Sequence, residues 1–127
     1  MGRGLSILVS LAFIMSGVMK LKGGDDLEKG LAHLGLPMSM VVPLAILELA
    51  CVAVYLVPRT AVLGAILLTG YMGGAICTHW RVGDAFVAQI LIGIALWAGV
   101  WLRESRLRAL IPLRTTPKVS HARAFPR

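Results

Sequence analysis

The stretch Ser39–Val57, SMVVPLAILELACVAVYLV, is apolar throughout except for one carboxylate, Glu48, close to its middle. A helix needs roughly 20 apolar residues to cross the hydrocarbon core of a bilayer, which is about 30 Å thick. The stretch therefore predicts a membrane-spanning helix. Because an ionisable group in lipid is costly, we expect Glu48 to face other helices and to find a polar partner there.

The composition of the whole chain indicates the same class of protein. Of its 127 residues, 57% are hydrophobic and 15% are charged, and the mean hydropathy is +0.81. An ordinary soluble domain has about a quarter charged residues. The length allows one bundle of short helices and leaves no room for a second domain.

Apolar segments on both sides of this stretch predict an all-α, integral membrane four-helix bundle over residues 1–102. The predicted helices are about 4–22, 37–57, 60–79 and 85–102. The turn at Pro58 and Arg59 is so short that the two helices beside it must be antiparallel. On the third helix, Gly70 and Gly74 have the small-x-x-x-small spacing that lets helix backbones approach closely, and we expect close packing there.

The segment between the first two crossings, Gly23–Leu36, has two interpretations. Asp25 and Asp26 precede leucines at helical spacing, which is typical of a short amphipathic helix with acidic residues at its positive end. The alternative is a solvated loop whose charges keep it in water. The sequence does not decide between them.

The basic residues predict the orientation of the chain. Nine of the 13 Lys and Arg residues lie on the side that holds both termini and the Pro58–Arg59 turn. Positive charge is enriched on the cytoplasmic side, so we expect both termini to be cytoplasmic. The basic segment 103–127 is predicted to be a surface-lying stub followed by disorder. It would contact anionic lipid headgroups, which accounts for the net charge of +7 without nucleic acid.

Depth and side-chain direction predict a contact between Glu48 and Lys20. At 1.5 Å per residue, Glu48 lies about 15 Å below an outer boundary near Met38, close to the midplane. Helical side chains lean toward the helix N-terminus, so Lys20 points inward and Glu48 outward. Three roles remain open for the pair: a structural lock between helices, a proton-carrying or quinone-contacting carboxylate, and a residue on a substrate pathway.

Polar and sulfur side chains near the third crossing give weaker signals. His79 and Arg81, in the predicted connection after it, are candidates for contact with a quinone or an anion, and the alternative is contact with lipid phosphate. One histidine without a second ligand at metal spacing predicts no metal site. Cys51 and Cys77 lie at different depths, so we expect them to be packing residues rather than a disulfide.

Four motifs together resemble the DoxX family of small four-helix membrane proteins. They are the Gly17-x-x-Lys20 helix end, the L-E-L run at Glu48, the Pro58–Arg59 turn, and GAICTHWRVGD from Gly74 to Asp84. The resemblance covers about residues 5–102. It implies a multi-pass bundle in the bacterial inner (cytoplasmic) membrane. It also implies a link to redox complexes, because some relatives are named as small subunits of thiosulfate:quinone oxidoreductase.

Two functions from different classes therefore remain open. The sequence contains no pair of facing haem histidines, no nucleotide-binding loop and no nucleophile triad. An enzymatic role thus requires a redox partner subunit, with this chain as the membrane anchor that faces a quinone. The alternative is a non-catalytic bundle, a small carrier or a complex-assembly protein, which could form a homo-oligomer. The sequence does not decide whether the chain is catalytic.

Overall fold

A computed structural model describes residues 1–114, and all of their regular secondary structure is helical. The α-helices are α1 (Gly2–Lys22), α2 (Asp25–Leu34), α3 (Val41–Leu56), α4 (Ala61–Arg81), α5 (Val87–Arg103) and α6 (Ser105–Arg108). Short 3-10 turns at Met38–Met40 and Pro58–Thr60 lead into α3 and α4. The prediction of an all-α protein is confirmed for the described part of the chain.

Three helical segments are long and apolar enough to cross a membrane: Gly2–Lys22, Met38–Leu56 and Pro58–Arg81. α5 is also apolar but has only 17 residues. It therefore extends about 25 Å, at the lower limit of the range for spanning helices. The chain is thus a membrane protein with three candidate spans. The fourth crossing and the cytoplasmic location of both termini stay predictions.

The four long helices pack in a ring. α3 lies between α1 and α4, and α5 contacts the same two helices on their other side. The side chains of Tyr55, Leu68, Leu96 and Val100 are completely buried in the centre. Many large apolar side chains on the outer faces are exposed, Leu8, Ile46, Ile66 and Ile94 among them. A chain that spans a membrane presents such faces to lipid.

Helices α3 and α4 approach each other closely at Gly64 rather than at the predicted Gly70 and Gly74. A Cβ atom added to Gly64 would lie 2.3 Å from the Cα atom of Tyr55, so only glycine fits there. Among residues 1–114, no atom of another helix lies within 4 Å of a Cβ added to Gly70 or Gly74. The expected packing at these two glycines is therefore wrong for this chain. The tight Pro58–Thr60 turn holds α3 and α4 together near Gly64, whereas Gly70 and Gly74 face away from the neighbouring helices.

Tyr55 connects α3 to two other helices. Its hydroxyl lies 2.9 Å from Ser6 Oγ on α1 and 3.1 Å from the carbonyl oxygen of Leu96 on α5. A Cβ atom added to Gly99 would lie 3.1 Å from the same hydroxyl. Polar groups buried in a bundle must find partners within it, and this tyrosine does so.

The connection between α1 and α3 contains the helix α2, so this segment is the predicted short helix rather than a solvated loop. Its first turn is acidic, and it begins after Gly23 and Gly24, both of which have positive φ. His33 Nε2 lies 2.9 Å from a carboxylate oxygen of Asp84, and Arg81 donates a hydrogen bond to the Leu34 carbonyl. These contacts connect α2 to the end of α4 and the start of the α4–α5 connection.

The described part of the basic segment contains one short helix. Leu107 of α6 is 8% exposed and belongs to the hydrophobic core, and the Trp101 indole donates a 3.0 Å hydrogen bond to the Ile111 carbonyl. The segment therefore packs back on α5 before residue 115. The disorder predicted farther along, at 115–127, lies outside the described residues.

Candidate functional site

Glu48 is the one charged side chain buried in the centre of the bundle among residues 1–114. It lies in the middle of α3, and only 1% of it is exposed. α3 packs between α1 and α4, so a residue on its inner face is shielded from lipid by both helices. The structure thus places this carboxylate inside the bundle, where polar partners from neighbouring helices can reach it.

Lys20 of α1 is the first of these partners. Its Nζ lies 2.7 Å from Glu48 Oε2 and 2.6 Å from Ser16 Oγ, one turn earlier on the same helix. A nitrogen–oxygen distance of 2.7 Å is typical of a charge-assisted hydrogen bond. The structure therefore brings together the two residues that side-chain direction predicted to meet. Ser16 was missed, although a serine four residues before a lysine lies on the same helix face and gives a usable signal.

Tyr71 of α4 is the second partner, and the sequence did not identify it. Its hydroxyl donates to Glu48 Oε2 at 3.1 Å, and the Lys20 ammonium lies 5.9 Å from the centre of its ring. The lysine therefore gains a cation–π contact in addition to its ion pair. A signal was present, because Tyr71 is one of only two tyrosines and lies inside an apolar stretch, where its hydroxyl needs a partner.

In the cluster of Glu48, Lys20, Tyr71 and Ser16, the hydrogen-bonding capacity of the carboxylate is not fully used. Both donors to the carboxylate use Oε2, and among residues 1–114 no donor contacts Oε1. The Lys20 side chain is 20% exposed, so the cluster reaches the bundle surface on the α1 side. The Lys20 side chain is thus accessible from that side, whereas the Glu48 carboxylate is enclosed by the helices.

His79 and Arg81 do not join this cluster. Both lie in the last turn of α4 rather than in a connection after it. His79 Nδ1 bonds to the Ala75 carbonyl of its own helix, and Arg81 reaches Leu34. Their suggested contact with a quinone stays a prediction, and both residues lie at the end of α4, where Arg81 contacts α2.

The cysteines and the acidic and histidine side chains form no further centre in the described residues. Cys51 is buried one turn after Glu48, Cys77 is exposed, and both are free thiols. Within residues 1–114, no group of three or more His, Cys, Asp and Glu side chains is placed to hold a metal ion. The cluster itself supplies oxygen and nitrogen groups, which form hydrogen bonds and exchange protons.

Apolar helices of spanning length around a buried ion pair define an integral membrane helix-bundle protein. The model of the DoxX-like family matches residues 4–103, nearly all of the described chain. The chain belongs to this family. No protein with a curated description and no solved structure matches it significantly.

Proposed function

We propose that the chain is a membrane subunit that binds the headgroup of a lipophilic quinone beside the cluster of Glu48, Lys20, Tyr71 and Ser16. The observation that carries the proposal is the buried Glu48 carboxylate, whose Oε2 has two donors and whose Oε1 has none among residues 1–114. A simple structural lock does not require the free oxygen or the partly exposed lysine. Membership of the DoxX-like family supports a location in the membrane, where such substrates dissolve.

The chemistry of a quinone suits both kinds of group in the cluster. A quinone carbonyl oxygen accepts hydrogen bonds, which the Lys20 ammonium can donate. The hydroxyl of the reduced form donates, and Glu48 Oε1 can accept. Reduction of a quinone adds two electrons and two protons. The electrons would come from a redox centre in a partner subunit, and Glu48 with Lys20 would exchange protons with the quinone oxygen.

Direct binding tests this proposal on the full chain in detergent. A short-chain quinone is titrated while its quenching of tryptophan fluorescence is followed. We expect Glu48→Gln and Tyr71→Phe each to weaken binding at least fivefold. Glu48→Gln removes the negative charge of the carboxylate, and Tyr71→Phe removes a hydrogen-bond donor to that carboxylate. Glu28→Gln is the matched control, since Glu28 is an exposed carboxylate on α2.

Each outcome of this titration has a defined meaning. If the cluster variants bind as the unmodified chain does and only lose stability, the cluster is a structural lock and the proposal is wrong. The same conclusion follows if Glu28→Gln weakens binding as much as Glu48→Gln. Selective loss in the cluster variants, at unchanged helix content by circular dichroism, would support the proposal.

A further inference from the structure

A pocket with polar residues in its lining lies at the end of the bundle where α1 begins and α5 ends. Its volume is about 360 Å³, within the range of small-ligand pockets. The residues that line it come from the start of α1, the end of α5 and the α3–α4 connection: Met1, Gly2, Arg3, Pro58, Ala61, Leu102, Arg103 and Glu104. Glu48 lies seven residues before Tyr55 on α3, so this end is about 10 Å from the carboxylate cluster along that helix.

Arg103 is the unusual residue of this pocket. Its guanidinium lies 5.5 Å from the centre of the Tyr55 ring. Its Nε and Nη2 atoms are buried, and neither has a hydrogen-bond partner among residues 1–114. These two atoms carry three of the five N–H donors of an arginine. Buried N–H donors of a cation are costly when they have no acceptor, and a bound anion would satisfy them.

Within the described residues, positive charge exceeds negative charge at this end of the bundle. The pocket contains the guanidiniums of Arg3 and Arg103 and one carboxylate, Glu104, and no ion pair joins them within the described residues. The remaining acidic residues lie elsewhere: Asp25, Asp26, Glu28, Glu48 and Asp84. The segment 115–127 contains no Asp or Glu. An anionic ligand would supply the acceptors that Arg103 lacks among residues 1–114.

We propose that the pocket between Arg3 and Arg103 binds a phosphate group. Guanidinium groups match phosphate oxygens in geometry and form charge-assisted hydrogen bonds with them. The Tyr55 ring holds one face of the Arg103 guanidinium, which fixes its position for a ligand. The phosphate belongs either to the headgroup of an anionic phospholipid or to a soluble phosphate ester. This site is separate from the quinone proposal and does not depend on it.

Native mass spectrometry of the full chain in mild detergent tests the proposal. Phosphatidylglycerol and phosphatidylcholine of equal chain length are titrated at fixed ionic strength. We expect phosphatidylglycerol to bind at least fivefold more tightly, and Arg103→Gln and Arg3→Gln each to remove most of that preference. Arg106→Gln is the matched control, because Arg106 is an exposed arginine at the same end outside the pocket.

Competition with inorganic phosphate distinguishes the two sources. If phosphate displaces the lipid while chloride at equal ionic strength does not, the site also accepts a soluble phosphate ester. If phosphate does not displace the lipid, the site is specific for the lipid headgroup. Both results are compatible with a phosphate site. A preference that survives in Arg103→Gln, or that Arg106→Gln abolishes equally, would overturn it. Should Arg103→Gln fail to fold, Arg103→Lys replaces it because it retains the positive charge. Arg3→Gln also decides the question, because Arg3 is exposed and its replacement leaves the core unchanged.

Discussion

Lys20 and Glu48 are 28 positions apart in the chain, and their ammonium and carboxylate groups are 2.7 Å apart inside the bundle. The contact joins α1 to α3, which are separated in the sequence by α2. A buried pair of this kind gains little relative to an apolar pair of the same volume, but loss of one partner leaves a charge without compensation. This asymmetry makes the pair testable.

We expect Lys20→Met to destabilise the protein by about 3 kcal/mol, at the lower end of the range for a broken buried pair because Lys20 is partly exposed. The reason is that the buried Glu48 carboxylate then keeps only Tyr71 as a donor. The double variant Lys20→Met with Glu48→Met should recover most of this loss. Unfolding in a denaturing detergent, followed by circular dichroism, measures both values. A double variant no more stable than Lys20→Met would show that the carboxylate is not the cause.

Gly64→Ala should destabilise the bundle by about 1–3 kcal/mol, the range for an overpacked core. The new methyl group would overlap the Tyr55 backbone, so α3 and α4 must separate. Gly70→Ala, on the same helix, is the control. It meets no atom within 4 Å and should be neutral or slightly stabilising, because alanine favours helix. Equal losses in the two variants would contradict the position of the helix contact.

Tyr55→Phe should cost about 1 kcal/mol, the net contribution of a typical hydrogen bond, because the buried Ser6 Oγ loses its partner on α3. The ring still fills the same space, so the core volume is unchanged. The same unfolding measurement checks the value. Tyr71→Phe is a useful comparison, since it removes a donor from the charged Glu48 and should cost more than Tyr55→Phe.

Cysteine labelling can decide the number of crossings and the orientation. On a background without Cys51 and Cys77, Lys29→Cys, Arg59→Cys and Arg114→Cys each place one thiol at an exposed position. We expect an impermeant maleimide added outside the cell to label Lys29→Cys alone. Arg59→Cys and Arg114→Cys should react only after permeabilisation. If Arg114→Cys reacts together with Lys29→Cys, α5 does not cross the membrane.

Much of the fold follows from hydropathy and from the direction of helical side chains. Three long apolar stretches predicted the three candidate spans, and the lean of side chains toward the helix N-terminus predicted the approach of Lys20 and Glu48. Both signals depend on position along a helix. They do not depend on how each helix is rotated about its axis.

The features that sequence reasoning missed depend on that rotation. Gly64 and the Gly70–Gly74 pair are all small residues on one helix, and spacing alone does not show which of them faces α3. Tyr71 was missed for the same reason, since its partner is on another helix. The end of α4 was also placed two residues too early, at residue 79, because the polar Arg81 favours a connection, whereas the helix continues to Arg81.

The position of Tyr55 has a consequence for biogenesis. A ribosome delivers the helices to the membrane one after another, and the Leu96 carbonyl that pairs with the Tyr55 hydroxyl emerges about 40 residues after it. Until then, α1, α3 and α4 are in the membrane without α5, and of the two partners of the Tyr55 hydroxyl only Ser6 is present. The last long helix therefore completes the bundle, and a nascent chain that stalls before Leu96 would present an incomplete core to the cell's quality-control proteases.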